Sequence, residues 1–237
     1  MKNQPSQPAI LWHLAHHVHL PEDNHWLSLR EQEVLSGLRF EKRRNDWRLG
    51  RWTAKNALRG YFPENLPPAD IEIIAAEDGA PEVFLGGQPA PCVISLSHSG
   101  GRGFCVVTGE GIALGCDVEM LEPRPEIFRE DYFTLEEQRQ VAALSAEEQT
   151  LGMNLVWSAK ESALKALREG LRRDTRSVSV DFRYDPRPET WHPLLVTVQQ
   201  EARRFYGWWR GENGVVLTAV TGTSPLPLIS CTDIKRS

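Results

Sequence analysis

The sequence FCVVTGEGIALGCDVE, from Phe104 to Glu119, contains two apolar, strand-like runs separated by a Gly-Glu-Gly break. Such a break is typical of a hairpin turn, so the stretch predicts two short strands. Asp117 and Glu119 lie two residues apart in the second run, and such residues project from the same face of a strand, about 6 to 7 Å apart. Two like charges at that distance repel each other. A cation, or a partner that supplies one, would relieve the repulsion.

Upstream of this stretch, the pattern changes from helices to strands. Residues 9–20 suggest a first strand, and apolar residues recur at helical spacing over 25–40 and again over 43–60. Residues 66–119 form a series of short apolar runs divided by Pro, Gly and Asp-Gly turns. This spacing predicts an antiparallel meander.

Downstream, helical periodicity returns over 133–144 and 150–170, and Gly170 is a suitable residue to end the second helix. The rest alternates as strands with an Asn-Gly turn. The order predicts an α+β fold of two similar α/β lobes related by pseudo-twofold symmetry, each a mostly antiparallel sheet with a packed helix. We expect an N-terminal lobe over 1–110 and a C-terminal lobe over 111–237, although no sequence repeat is visible by eye.

The composition narrows the class of protein. The chain has 237 residues, 41% of them hydrophobic, and a net charge of −5, so it has no general electrostatic attraction to nucleic acid or to an anionic membrane. Its four cysteines lack CxxC spacing and lie mostly in apolar runs, which is typical of core residues in a reducing compartment. No apolar run reaches the length of a membrane span, and the N-terminus lacks the apolar segment of a signal peptide. We expect a cytoplasmic monomer without nucleic-acid or membrane partners.

The segment WSAKESALK, residues 157–165, places three functional side chains on one helical face. Trp157, Glu161 and Lys165 recur at four-residue steps. A Glu followed by Lys at i+4 is most often an exposed helix pair of little energetic value. Beside Asp117 and Glu119, however, the third acid and the lysine would complete a site for a hard cation with a phosphate-neutralising group next to it.

A basic stripe runs along the segment 43–60, where the net acidic chain has a local excess of cations. Its members recur at steps of three and four residues: Arg44, Arg48, Arg51, Lys55 and Arg59. A charge run of this kind is usually a solvated helix surface. Because few acids balance it, a bound phosphate group is a competing interpretation.

Histidines occur in two further segments. The first is ISLSHSGGRG, residues 94–103. Neighbouring strand residues point to opposite faces, so His98 is poorly placed to activate Ser97. A hairpin with a hydrogen-bonded histidine is the simpler interpretation. The segment HLAHHVH, residues 13–19, has histidines whose spacing suits neither one helix face nor one strand face. We therefore do not expect a metal site there.

Three motifs in order resemble those of the 4′-phosphopantetheinyl transferase superfamily, in its two-lobed, single-chain type. GCDVE is similar to the G-[IV]-D-[IVL]-E motif of that family, WSAKESALK to its W-[ST]-x-K-E-[AS]-x-x-K motif, and ISLSHSG to its [FN]-x-S-x-S-H-[ST] segment. Cys116 stands where the family usually has a branched apolar residue. One such motif would be a weak signal, but three in order are a strong one.

The resemblance implies an activity. Enzymes of this family transfer the 4′-phosphopantetheine group of coenzyme A to a serine of an apo acyl or peptidyl carrier protein, releasing adenosine 3′,5′-bisphosphate, in fatty acid, polyketide or nonribosomal peptide biosynthesis. The family docks its carrier mainly on the second lobe, after GCDVE. Two other classes stay open on the residues alone: a Mg²⁺-dependent nucleotide hydrolase, and a non-catalytic module that binds coenzyme A or the carrier.

The resemblance also implies roles for particular residues. Asp117, Glu119 and Glu161 would hold Mg²⁺ with the pyrophosphate of coenzyme A, and Lys165 would stabilise charge on that pyrophosphate. Either Glu161 or a metal-bound water would take the proton of the acceptor serine. The nucleotide, and His98 with its 3′-phosphate in particular, would be bound by a set from the first lobe: Arg44, Arg51, Lys55, Ser97 and His98.

Overall fold

A computed structural model describes residues 8–62, 66–222 and 225–231. The helices are α1 (Leu29–Gly37), α2 (Glu41–Tyr61), α3 (Glu126–Tyr132), α4 (Leu135–Ala142) and α5 (Ala146–Ala166). The strands are β1 (Ile10–His16), β2 (Ile71–Ala75), β3 (Pro81–Leu85), β4 (Gln88–Pro89), β5 (Cys92–Ser99), β6 (Arg102–Gly109), β7 (Leu114–Met120), β8 (Val178–Phe182), β9 (His192–Val198), β10 (Arg203–Glu212), β11 (Val215–Thr221) and β12 (Leu228–Ser230). No helix within the described ranges is long and apolar enough to cross a membrane.

The chain divides into two compact units. Unit 1 comprises Met1–Ile112 with Leu226–Ser237, and unit 2 comprises Ala113–Pro225. The tail therefore differs from the expected lobe 111–237, because β12 pairs in parallel with the start of β1. The tail also contributes Cys231 to the unit 1 core, where it packs near Ala57 of α2.

Unit 1 has two sheets. The larger has the strand order β12-β1-β6-β5, and α2 packs against it; the smaller is the meander β2-β3-β4. The core between α2 and these sheets is apolar and includes Ala54 and Leu58 of the helix and Val107 of β6. α2 covers the range predicted from its periodicity.

Unit 2 is built on one antiparallel sheet with the order β7-β11-β10-β9-β8, against which α5 packs. Asn213 and Gly214 both have positive φ, at 50° and 77°, and form the predicted Asn-Gly turn between β10 and β11. Helices and antiparallel sheets in both units confirm the α+β class. The pseudo-twofold relation stays a prediction.

Three local expectations need correction. Gly109 and Gly111 do not close a hairpin, because β6 and β7 belong to different sheets and this segment instead joins the two units. α5 ends at Ala166, before the expected Gly170, since Arg168 takes the left-handed conformation (φ 61°) that ends a helix. The short helix α3 was not predicted as a separate element.

A buried lysine anchors α5 in unit 2. Lys160 has no solvent exposure, and its ammonium lies 2.8 Å from a carboxylate oxygen of Glu137. It also donates to the carbonyl oxygens of Thr175 and Val178, at 2.9 and 2.6 Å. Glu137 in turn caps α4 and accepts a hydrogen bond from the backbone N–H of Val180 at 2.7 Å. The buried charges are therefore paired and hydrogen-bonded, as a protein interior requires.

The same arrangement recurs in unit 1. Lys55 of α2 is fully buried and pairs with Glu31, which caps α1 in a capping box. Its ammonium also donates to the carbonyl oxygens of Trp26, Pro68 and Ile71, at 3.1, 2.8 and 2.6 Å. Each unit thus fixes its long helix to a neighbouring capped helix and to the segment leading into a strand.

Candidate active site

A glycine on β7 allows α5 to approach the strand closely. A Cβ atom on Gly115 would lie 1.8 Å from the carbonyl oxygen of Ser162, so only glycine permits this spacing. Residues 115, 117 and 119 share one face of the strand. The close contact therefore holds Trp157, Glu161 and Lys165 near the acidic residues of β7. We call Asp117, Glu119, Glu161 and Lys165 the acid–lysine site.

Asp117 and Lys165 form the first pair of this site. The Lys165 ammonium donates to Oδ1 of Asp117 at 2.8 Å and to the carbonyl oxygen of Cys116 at 3.1 Å. Burial alone would lower the pKa of Lys165, but Asp117 and the neighbouring Cys116 and Glu161 reverse the effect and raise it. Lys165 is therefore a cation held beside the acids.

Glu119 is held by two donors. The indole N–H of Trp157 donates to Oε1 of Glu119 at 3.0 Å, and Nη2 of Arg124 donates to Oε2 at 3.1 Å. Burial and the charge of Asp117 raise the pKa of Glu119, whereas Arg124, Trp157 and Lys165 act in the opposite direction. The carboxylate has a defined orientation.

Among the acids of this site, Glu161 has the pKa that departs furthest from its ordinary value. Burial, followed by the charge of Asp117, raises its pKa to about 6, Lys165 opposes the shift and Glu119 adds to it. Because Asp117 and Glu119 both act on Glu161, the three carboxylates lie close enough to interact electrostatically. A carboxylate with a pKa near neutrality can accept a proton from a substrate.

The predicted metal set fits a hard cation in its chemistry. Three carboxylates are the oxygen ligands that Mg²⁺ prefers, and their mutual repulsion would fall when a divalent cation binds. Among the described residues, no three His, Cys, Asp or Glu side chains are already arranged to hold an ion. The metal ligands therefore stay a prediction.

His98 lies in a cavity of unit 1. The cavity has a volume of about 330 Å³ and is lined by Phe40, Lys42, Arg43, Asp46, Trp47 and His98. This volume is near the lower end of the range for small-molecule sites. Lys42 pairs with Asp46 at 3.3 Å, and Arg43 and His98 beside the two aromatic side chains suit an anionic ligand with an aromatic ring.

Part of the basic stripe faces inward, which corrects the prediction for Lys55. The ammonium of Lys55 is bound inside unit 1, as described above, and the side chain of Arg51 is 11% exposed, with its Nε 3.7 Å from Oε1 of Glu31. Arg48 donates to backbone carbonyl oxygens of residues 21–23. Lys55 and Arg48 therefore bind to groups within unit 1, whereas the guanidinium of Arg51 lies 4.6 Å from the ring centroid of Trp47, a residue that lines the cavity.

The remaining members of the predicted nucleotide set lie at or near the surface. Arg44 is exposed and does not line the cavity, whose cations are Lys42 and Arg43. Ser97 precedes His98 on β5 and does not line the cavity either. Arg43 could have been identified from the sequence, because Asp46 and Trp47 follow it at i+3 and i+4 and so lie on the same helical face.

Unit 2 combines clustered acids, a neighbouring lysine and a carboxylate with a pKa near neutrality, which is typical of enzymes that transfer phosphoryl groups. Residues 113–217, which include GCDVE and WSAKESALK, match the family model of the 4′-phosphopantetheinyl transferase superfamily. This match confirms the resemblance predicted from those two motifs. The ISLSHSG segment lies upstream of the matched residues.

The chain is similar to a curated protein and to a solved structure. A curated protein of Synechocystis sp. (strain ATCC 27184 / PCC 6803 / Kazusa), named as a candidate 4′-phosphopantetheinyl transferase, is 26% identical over 157 residues. The alignment covers 65% of this chain and 62% of the relative, which is less than two thirds of its length. A crystal structure of a holo-(acyl-carrier-protein) synthase from Bacillus anthracis str. Ames in complex with CoA (3′,5′-ADP) covers 43% of this chain and 95% of its own, with 20% identity and a TM-score of 0.37.

Proposed function

We propose that the protein transfers the 4′-phosphopantetheine group of coenzyme A to a serine of an apo acyl or peptidyl carrier protein. The observation that carries the proposal is the meeting of Asp117 and Glu119 of β7 with Glu161 and Lys165 of α5. The superfamily match over residues 113–217 supports the same activity. The second product would be adenosine 3′,5′-bisphosphate.

The acids and the lysine would act on the pyrophosphate of coenzyme A. Asp117, Glu119 and Glu161 would hold Mg²⁺, which, when bound, neutralises charge on phosphate oxygens. Lys165 would release part of its interaction with Asp117 and donate to an oxygen of the pyrophosphate. Phosphoryl transfer depends mainly on positioning and charge neutralisation, so this set of groups suits the reaction.

Glu161 would accept the proton of the acceptor serine. The serine oxygen forms a bond to the phosphorus of the phosphopantetheine group, the bond to the leaving nucleotide breaks, and the proton passes to the Glu161 carboxylate. Burial raises the pKa of Glu161 to about 6 in the metal-free protein, and Mg²⁺ bound to the carboxylate would lower it, so the group would be ionised when the serine arrives. The other base that the sequence left open, a metal-bound water, stays the alternative in this proposal.

The cavity around His98 would bind the nucleotide end of coenzyme A. Lys42, Arg43 and His98 could contact the 3′-phosphate, while Phe40 and Trp47 offer aromatic surfaces to the adenine. Lys55 of the predicted nucleotide set is left out, because its ammonium is bound within unit 1, and Arg51 stays in the proposed set beside Trp47.

The test is to incubate the protein with coenzyme A, Mg²⁺ and an apo carrier protein, and to weigh the carrier by mass spectrometry. A carrier heavier by one phosphopantetheine group supports the proposal. Nucleotide release with an unmodified carrier would identify a hydrolase instead. Binding of coenzyme A without either product would identify a non-catalytic module.

Variants connect the activity to the acid–lysine site. Asp117→Ala and Glu161→Gln should abolish carrier modification while the protein stays folded by circular dichroism. Glu147→Gln is the matched control, because this acid lies in the first turn of the same helix and has no assigned role. Near wild-type activity in either site variant would refute the assignment.

A further inference from the structure

Arg124 is the cation that contacts Glu119, and neither motif includes it. It lies between β7 and α3, and its side chain is 21% exposed. Its Nη2 donates to Oε2 of Glu119 at 3.1 Å, and its Nε donates to Oδ1 of Asn154 at 2.7 Å. The guanidinium also lies 4.5 Å from the ring centroid of Phe128 and 5.8 Å from that of Trp157.

Asn154 fixes the far side of this guanidinium. It is fully buried, and its amide donates to the carbonyl oxygens of Glu122 and Thr150, both at 2.8 Å. These two bonds orient the Asn154 amide so that its oxygen accepts from Arg124. A chain of directed hydrogen bonds therefore runs from the backbone through Asn154 and Arg124 to Glu119.

Trp157 completes the arrangement from the same helix. Asn154 and Trp157 are three residues apart on α5 and so lie on one side of it. Trp157 donates to Oε1 of Glu119, and its ring packs against Phe128 and Tyr132 with centroids 4.9 and 5.1 Å away. Each oxygen of Glu119 thus accepts one bond, and each retains capacity for a second partner, because an ionised carboxylate has about four acceptor positions.

We propose that Arg124 is a positioning residue that, together with Trp157, fixes the orientation of the Glu119 carboxylate for a divalent cation. This rests on the proposed function, in which Glu119 is one of three acids that hold the metal. A planar guanidinium can join Asn154 to Glu119 and stack on Phe128 at the same time. A lysine ammonium has the same charge but cannot make this fork.

The informative variant is therefore Arg124→Lys, because it keeps the charge near the metal and removes the geometry. Loss of a group that orients a metal ligand typically weakens metal binding about 10- to 100-fold. Mn²⁺ is added to the full-length protein, with and without coenzyme A, and the free ion is measured by electron paramagnetic resonance. We expect the Mn²⁺ dissociation constant to rise by about 10- to 100-fold in the variant.

A second readout separates positioning from folding. In the transfer reaction, Arg124→Lys should raise the half-saturating Mg²⁺ concentration by a similar factor, while kcat at saturating Mg²⁺ stays within a few-fold of wild type. If the lysine variant is poorly folded, Trp157→Phe is the second variant: it removes the other donor to Glu119, leaves the charge of Arg124 in place, and should raise the half-saturating Mg²⁺ concentration likewise. The matched control is Arg139→Lys, an exposed arginine of α4 paired with Glu136.

The outcomes distinguish the two proposals. If the wild type binds Mn²⁺ and Glu119→Gln does not, but Arg124→Lys binds it as the wild type does, the positioning role is refuted and the proposed function stands. A variant with lower kcat and an unchanged metal requirement also refutes the positioning role. Absence of Mn²⁺ binding by the wild type, with or without coenzyme A, would overturn the metal site and this inference together.

Discussion

Gly115→Ala should disable the acid–lysine site without removing any of its functional groups. The added Cβ would lie 1.8 Å from the carbonyl oxygen of Ser162 and 2.9 Å from the backbone nitrogen of Ala166. An ordinary contact begins near 3.4 Å, so strand and helix must separate by about 1.6 Å. Both clashing atoms belong to the backbone of α5 and cannot rotate away. A displacement of about 1 Å can cost 100-fold in rate, so we expect at least that loss.

The assay compares kcat/KM for carrier modification with the melting temperature. Overpacking a close contact costs about 1 to 3 kcal/mol, so the variant should melt several degrees lower and still be folded at 25 °C. Gly37→Ala is the control, because nothing lies within 4 Å of the added methyl group. If Gly115→Ala has wild-type activity and stability, α5 does not depend on this close approach, and the reasoning is wrong.

Three other predictions concern particular contacts. Lys160→Met should lower the free energy of unfolding in urea by about 3 to 5 kcal/mol, because it leaves the buried Glu137 carboxylate without its ammonium partner; a loss below 1 kcal/mol would contradict this. Lys55→Met should cost less than Lys160→Met, because Arg51 stays 3.7 Å from Glu31. Burial raises the pKa of the Cys92 thiol to about 12, and the other three cysteines are buried. A thiol reagent at pH 8 should therefore react slowly with the native protein, whereas all four thiols should react after unfolding; rapid labelling of Cys92 in the native protein would refute this. His98→Ala and Arg43→Ala should weaken coenzyme A binding by about 10- to 100-fold and discriminate little against dephospho-coenzyme A; an unchanged preference for coenzyme A would exclude 3′-phosphate contacts.

The long helices and the acidic strand could be predicted because local patterns determine them. Apolar residues at helical spacing indicated α2 and α5, and strand alternation placed Asp117 and Glu119 on one face. The four-residue spacing from Trp157 to Lys165 correctly indicated that these side chains share one face of α5. Which strand α5 contacts is a tertiary property, and only the motif resemblance indicated it before the structure.

The basic stripe shows where periodicity is insufficient. A step of three or four residues identifies a helical face but does not say whether that face is outside or inside. Arg51 and Lys55 lie at the edge of the buried face of α2, where Glu31 from another element supplies the counter-charge. Arg43 is turned toward the cavity. Because Glu31 is distant in sequence from Lys55, a helix-by-helix interpretation could not find the pair.

The residues that follow the two buried lysines show which features both units have and which feature only unit 2 has. Lys160 is followed by Glu161 at the next residue and by Lys165 five residues later, whereas the corresponding residues after Lys55 are Asn56 and Gly60. The Asn56 amide donates to the carbonyl oxygen of Trp52 on its own helix. The Lys–Glu anchor therefore occurs without the acid–lysine pair in unit 1, and its role in both units is to hold the long helix. Because so few residues define the anchor, no repeat is visible in the sequence. The chemistry proposed for α5 depends on Glu161 and Lys165, which do not belong to the anchor.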